Sequence, residues 1–114
     1  MSLFNKSEMK MYTKKDFDKK LPSGMIMVGA NWCGFCKQLK PIWRQLYKES
    51  SKDSTIAAID AVKSQELVHM LGIAGYPTIL IVGNNGKIKE YDGERTLEAL
   101  KKKLPKTRKN KTKK

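Results

Sequence analysis

Two cysteines, Cys33 and Cys36, are the residues whose type and spacing best suit covalent chemistry. They are the only cysteines of the chain, and at this separation they can close a disulfide. They follow an apolar run at residues 25–28 and begin a helical pattern. Backbone N–H groups and the dipole of a helix N-terminus favour negative charge, and the thiolate is the reactive form of cysteine. The spacing therefore predicts a pair that alternates between dithiol and disulfide.

Zinc binding is an alternative interpretation of these two cysteines. A structural zinc ion takes about four ligands. His69 is the single histidine of the chain and would bring the cysteine and histidine ligands only to three. Redox chemistry is therefore favoured, with no metal and no bound cofactor expected. We interpret His69 itself as a surface or packing residue.

The hydrophobic pattern predicts the elements that would position the cysteines. Strands are predicted at residues 25–30, 55–60, 78–82 and 87–91. Helices are predicted at residues 14–21, 33–50, 65–71 and 97–104. The first two strands flank a helix and should be parallel, whereas the turn at residues 83–86 should make the last two an antiparallel hairpin. We therefore predict an α/β fold with a central mixed sheet of four or five strands and helices on both faces.

Charge divides the chain into two predicted parts. The chain has 114 residues, the size of one domain, and a net charge of +13. Residues 101–114 contain nine lysines or arginines and no acidic residue. We predict a folded domain at residues 1–104 and a disordered basic tail at 105–114, because the tail has little apolar surface to bury. We interpret the tail first as a solvated extension without a function of its own. The alternatives are nonspecific attachment to nucleic acid or to an acidic surface, and nuclear targeting.

Nothing in the sequence predicts a membrane span or a secretory signal. No apolar run approaches the ~20 residues that cross a bilayer, and the first residues lack the apolar core of a signal peptide. We therefore expect a cytoplasmic monomer that does not bind membranes, with the nucleus or a virion as alternative locations.

Four landmarks occur in a recognisable order along the chain. They are Trp-Cys-Gly-Phe-Cys-Lys at residues 32–37, Pro41 within the predicted helix, Gly-Tyr-Pro-Thr at residues 75–78 and Asp-Gly at residues 92–93. On these residues the chain resembles the thioredoxin family, that is thioredoxins and the catalytic domains of protein disulfide isomerase, over residues 12–104. The resemblance implies a thioredoxin fold and a thiol–disulfide oxidoreductase that reduces, forms or exchanges protein disulfides.

The resemblance also implies roles at the reacting centre. Cys33 would be the exposed nucleophile that forms a mixed disulfide with the substrate, and Cys36 would be the buried resolving thiol. Pro77 would follow a cis peptide bond and lie against the disulfide. The backbone of Tyr76 would pair with an extended substrate segment as a short added strand.

Other residues would support the site by the same analogy. Trp32 would form one wall, with its indole N–H bonded to Asp60 at the end of the second predicted strand. The remaining supporting residues are Gly34, Phe35 and Lys37. The implied partners are proteins that carry disulfides or dithiols, with a reductase or glutathione as the electron partner. The redox-active disulfide itself takes the place of a cofactor.

Two residues depart from the family pattern. Met27 occupies the position, six residues before the first cysteine, where the family usually has a buried carboxylate that relays a proton. We therefore expect a slower second step, with water, Lys37 or no specific group as the proton acceptor. Phe35 replaces the proline typical of reducing members and the histidine typical of oxidising members, so the direction of electron flow stays open. The altered motif also admits an iron–sulfur cluster shared between two chains as an alternative.

A binding module is the second functional hypothesis. In this interpretation the chain is a thioredoxin-fold adaptor whose lysine-rich tail binds nucleic acid or an acidic assembly surface, and redox chemistry is secondary. The missing carboxylate at Met27 motivates this hypothesis. The tail has no aromatic side chain to stack on bases, so sequence-selective recognition is not expected.

Overall fold

A five-stranded sheet organises the fold in the computed structural model, which describes residues 3–105. The strands are β1 (Lys10–Met11), β2 (Gly24–Gly29), β3 (Thr55–Asp60), β4 (Thr78–Val82) and β5 (Ile88–Tyr91), and their spatial order is β1-β3-β2-β4-β5. β1 and β2 both run parallel to β3, whereas β4 runs antiparallel to β2 and to β5. The predicted mixed sheet, its parallel pair and its hairpin are confirmed.

Three α-helices accompany the sheet, and the first of them carries the predicted site. They are α1 (Gly34–Ser50), α2 (Gln65–Met70) and α3 (Leu97–Lys103). α1 buries Leu39, Trp43 and Leu46, which are spaced so that they share one face of the helix. The indole Nε1 of Trp43 donates a hydrogen bond to the carbonyl oxygen of Ala57 in β3, at 3.0 Å. Within residues 3–105, no helix has the length and apolarity needed to span a membrane.

The central position of β2 explains its unbroken apolar sequence. The side chains of Met25, Ile26, Met27 and Val28 are all fully buried or nearly so. A strand covered on both faces has no solvent side and therefore needs no alternation of polar residues. β2 ends at Gly29, which pairs with Asp60 of β3, and the chain then leads directly into α1.

The region before β2 differs from the sequence prediction. The helix predicted at residues 14–21 is a short 3₁₀ helix at Lys14–Asp18 that buries none of its residues. Because this segment has no apolar stripe to pack against the core, a short 3₁₀ helix forms here rather than a longer α-helix. The backbone N–H of Thr13 donates to Asp16 Oδ2 at 2.8 Å, a bond typical of a capping box at a helix start. The two-residue strand β1 was not predicted.

Residues 3–9, which we call the N-terminal segment, pack against the domain. Leu3, Phe4 and Met9 are buried in the core. Glu8 Oε1 accepts hydrogen bonds from Nε and Nη2 of Arg44 in α1, at 3.0 and 2.7 Å. The Arg44 hydrogen bond holds the pKa of the Glu8 carboxyl below its ordinary value. The segment is therefore attached to α1 by apolar burial and by charge.

The predicted basic tail lies outside the described residues from residue 106 onward. Its last described residue, Pro105, accepts a hydrogen bond at its carbonyl oxygen from Ser54 Oγ, at 2.9 Å. Lys101 in α3 forms an ion pair with Glu49 in α1. These contacts fix the end of the described chain beside the start of β3.

Candidate functional site

The loop between β2 and α1 places Cys33 at the N-cap of the helix. Its backbone is extended, and its Sγ accepts a hydrogen bond from the backbone N–H of Cys36, at 3.2 Å. The sulfur thus occupies the place that an oxygen of serine or aspartate often takes at helix starts. At this position the helix dipole interacts favourably with negative charge. Both cysteines are free thiols.

The two thiols differ in their access to solvent. Cys36 is fully buried, whereas Cys33 retains 8% of its surface exposed. The order of exposure is the expected one, but Cys33 is much less open than the exposed nucleophile that the resemblance implied. The reason is its cap geometry, which turns the sulfur back toward the helix. Burial raises the pKa of the Cys36 thiol to about 12, and the hydrogen bond with Cys33 acts in the same direction.

Alkylation of the reduced protein should therefore modify Cys33 well before Cys36. With a pKa of about 12, only about one Cys36 thiol in ten thousand is ionised at pH 8. The rate at Cys36 should rise about tenfold for each pH unit up to about pH 12, because only the thiolate reacts. Limiting iodoacetamide followed by peptide mass mapping measures both rates. Equal rates at pH 8 in the folded protein would contradict the assigned roles, and urea-unfolded protein is the control in which both should react alike.

The loop that precedes β4 carries a cis peptide bond between Tyr76 and Pro77. The ring of Tyr76 packs edge-on against Trp32, with ring centroids 5.8 Å apart. The carbonyl oxygen of Pro77 accepts a hydrogen bond from Arg95 Nη2 at 3.2 Å. Arg95 also acts on the site electrostatically, because its positive charge lowers the pKa of Cys36 by a small amount relative to the effect of burial. No local sequence pattern marks Arg95, so the sequence prediction missed it.

Apolar side chains stand around the cysteines on the outer surface. Trp32 and Phe35 are each 65% exposed, which is unusual for such large apolar residues. An open groove of about 520 Å³ begins beside Trp32 and Tyr76 and runs along α2, where it is lined by Ala61, Val62, Gln65, Val68, His69 and Ile73. Exposed apolar surface next to a reactive group is typical of a binding surface. His69, interpreted from sequence as a surface or packing residue, therefore lines a groove next to the site.

The expected hydrogen bond between Trp32 and Asp60 is not formed in the described part of the chain. Asp60 Oδ1 instead accepts the backbone N–H groups of Val62 and Lys63, at 3.0 and 3.3 Å. This turn at the end of β3 engages Oδ1 of the carboxylate. The Trp32 ring is supported by Tyr76 instead.

Two further predicted site residues, Gly34 and Lys37, both lie in α1. Gly34 is the first residue of α1, and Lys37 is exposed on the same helix. The ionisable groups that act on the pKa of the Cys36 thiol are Cys33 and Arg95, and the role of Lys37 as a proton acceptor stays a prediction. Met27 is fully buried at the position where the family pattern has a carboxylate. Within residues 3–105, no three histidine, cysteine or acidic side chains are grouped so that they could hold a metal ion.

The sequence of the chain matches one protein family and several of its members. A model of the Thioredoxin family matches residues 8–106. The chain is 34% identical over 93 residues to the thioredoxin domain-containing protein 5 homolog of Drosophila melanogaster, covering 78% of this chain and 22% of that protein. It is 38% identical over 92 residues to human protein disulfide-isomerase A6, covering 74% of this chain and 21% of that protein. The chain thus spans about a fifth of the length of these curated relatives.

Solved structures share the fold. The J-Trx1 fragment of ERdj5 superposes with a TM-score of 0.74 at 25% identity, covering 82% of this chain and 46% of that one. The first thioredoxin domain of mouse protein disulfide-isomerase A4 superposes with a TM-score of 0.69 at 29% identity, covering 82% of this chain and 71% of that one. The similarity therefore extends over the sheet and helices that carry the two cysteines.

Proposed function

The chain belongs to the thioredoxin family, and from this premise we propose that it is a thiol–disulfide oxidoreductase that acts on protein disulfides through Cys33 and Cys36. One observation carries the proposal. Cys33, which keeps 8% of its surface exposed, places its sulfur at the N-cap of α1, 3.2 Å from the backbone nitrogen of Cys36. Such a sulfur is placed to react first, with a second thiol one helical turn away to complete the exchange.

The reaction exchanges two electrons in two steps. The Cys33 thiolate attacks one sulfur of a substrate disulfide, so that a mixed disulfide forms and the other substrate sulfur leaves as a thiolate. Cys36 then loses its proton and attacks Cys33 Sγ. The bond between Cys33 and the substrate breaks, the second substrate sulfur leaves as a thiolate, and both released thiolates take up protons. The dithiol has then been oxidised to the Cys33–Cys36 disulfide, and the substrate disulfide has been reduced.

The surface around the cysteines supports protein substrates. An extended segment bound beside Tyr76 would lie next to Trp32, the residue before Cys33, and exposed Trp32 and Phe35 offer apolar contact. Relatives named protein disulfide-isomerase favour this substrate class. A reductase or glutathione would restore the dithiol. The cytoplasmic location and the monomeric state expected from the sequence stay predictions, and the names of the relatives do not support that location.

Insulin reduction tests the proposed activity. The dithiol form should accelerate precipitation of the insulin B chain above the rate given by dithiothreitol alone. A redox titration of the cysteine pair against glutathione then determines the direction of electron flow. A potential near −270 mV is typical of thioredoxins and would indicate a reductant, whereas one near −180 mV is typical of isomerases and would indicate an oxidant or isomerase. Absence of any acceleration at matched protein concentration would contradict the proposal.

The adaptor hypothesis concerns the basic tail and has its own test. Nine basic residues at 101–114 favour binding to nucleic acid through phosphates, and such binding weakens steeply with salt. Salt-dependent DNA or RNA binding that survives Cys33→Ser but is lost on deletion of residues 106–114 would support an adaptor. Absence of binding at low salt would contradict it.

A further inference from the structure

The N-terminal segment closes the space behind Cys36. Gly29 at the end of β2 has no side chain, and a Cβ atom placed on it would lie 3.0 Å from Cys36 Sγ and 3.1 Å from Leu3 Cδ2. Leu3 and Cys36 therefore both pack against the bare face of Gly29. Leu3 is only 6% exposed, and Cys36 is fully buried. A leucine thus helps to bury the thiol at the end of β2.

Several contacts hold Leu3 in this place. The ring of the next residue, Phe4, is buried and lies 5.6 Å from the ammonium of Lys40 in α1. Asn5 Oδ1 accepts the backbone N–H groups of Ser7 and Glu8, at 3.1 and 3.2 Å, which forms a tight turn. The Glu8–Arg44 ion pair then attaches this turn to α1. The helix that carries Cys36 therefore also anchors the segment that covers it.

The ionisable groups that act on the pKa of Cys36 are Cys33 and Arg95, and Arg95 is a cation that cannot accept a proton. Asp60 pairs with Gly29, but its Oδ1 accepts the backbone N–H groups of Val62 and Lys63. Met27 is apolar and fully buried. Water is then the proton acceptor to consider, and Leu3 packs beside the thiol at Gly29.

We propose, on the premise of the oxidoreductase function given above, that Leu3 is a positioning residue that seals Cys36 from water and thereby slows the second, resolving step. The proton of Cys36 then departs only through the side where Cys33 and the substrate lie. The mixed disulfide between Cys33 and substrate is long-lived as a consequence. Removing the seal admits water, which stabilises the Cys36 thiolate and increases its population.

An aromatic disulfide separates the two steps in one experiment. Dithiobis(nitrobenzoate) should release one coloured thiolate when Cys33 attacks it and a second when Cys36 attacks Cys33 Sγ. Stopped-flow absorbance therefore records two phases in the full chain. Leu3→Ala should accelerate the second phase about tenfold near pH 8, as expected for a drop of one unit in the pKa of Cys36, and should leave the first phase within about twofold. The pH profile of the second phase should shift downward by the same amount.

Matched variants distinguish a specific effect of Leu3 on Cys36 from a general loss of core packing. Leu21 is a leucine of similar burial, 7% exposed, and it precedes β2 at the end opposite Gly29. Leu21→Ala should change neither phase, and Leu3→Met should retain the wild-type profile. If Leu3→Ala does not fold by circular dichroism, Leu3→Val should show an acceleration of the second phase in the same direction, about two- to threefold.

The outcomes distinguish this inference from the proposed function. A normal first phase with an unchanged second phase and pH profile in the folded Leu3 variant would overturn the seal and leave the oxidoreductase function intact. Equal acceleration in Leu21→Ala would also overturn it. Absence of both phases in the wild-type dithiol would instead contradict the oxidoreductase function, and the seal with it.

Discussion

Replacement of Cys33 by serine should reduce insulin reduction at least about a thousandfold, to the rate of the uncatalysed exchange. A serine hydroxyl at the N-cap of α1 keeps the hydrogen bond to the helix but is not ionised at neutral pH. No thiolate then remains on the accessible side, because Cys36 is fully buried and its pKa is raised to about 12. The measurement is the rate of insulin B-chain precipitation at equal dithiothreitol concentration.

Cys36→Ser is the matched control for this result. It keeps the first attack and removes the second, so that it should accumulate a covalent complex between Cys33 and the substrate, visible by non-reducing electrophoresis. Cys33→Ser should form no such complex. Activity of Cys33→Ser equal to that of the parent, or complexes formed through Cys36 in its place, would show that the order of the two thiols is reversed or that the site lies elsewhere.

Trp43→Ala should cost about 3–5 kcal/mol of the free energy of unfolding, a large part of the 5–15 kcal/mol typical of a domain. Trp43 is fully buried in α1, and its indole donates to the carbonyl oxygen of Ala57 in β3. The substitution removes the ring and leaves a cavity between helix and sheet, and it also removes the donor for that carbonyl. Urea denaturation followed by circular dichroism measures the loss.

Trp32→Ala offers a control of the same residue type on the surface. Trp32 is 65% exposed, so its removal should change the free energy of unfolding by no more than about 0.5 kcal/mol. Trp43→Phe should lie between the two, because it keeps much of the ring volume and loses the hydrogen bond. A cost for Trp32→Ala as large as that of Trp43→Ala would contradict the assignment of Trp43 to the core and Trp32 to the site surface.

The parts of the fold that the sequence predicts correctly are those with a strong local pattern. β3 and β4 have the predicted boundaries, and α1 ends at the predicted Ser50. Each combines an apolar run or a helical stripe with clear turn residues at its ends. The hairpin turn between β4 and β5 also has a clear local signal. Gly86 adopts a positive φ of 85°, which glycine accepts without strain. The CxxC motif at the start of α1 is a local pattern as well.

The features that the sequence does not predict depend on contacts between distant residues. β1 has only two residues and exists because Lys10 and Met11 pair with β3, more than forty positions later. Arg95 reaches Pro77 across the fold, and Leu3 and Cys36 both pack against Gly29. The structure does not form the predicted bond between Trp32 and Asp60, and Asp60 Oδ1 binds backbone N–H groups of its own turn instead. Sequence spacing carries no information on such competition between partners.

The hydrogen bond from Ser54 to Pro105 has a consequence for how this chain can be attached to anything else. Ser54 precedes β3, whereas the other end of β3 pairs with Gly29, the residue beside Cys36. Six strand residues span about 17 Å. Pro105, the last described residue, therefore lies at the end of the domain opposite the two thiols. A partner bound beside Ser54 and Pro105 would leave the two thiols uncovered, so that binding and disulfide exchange would use opposite ends of one molecule.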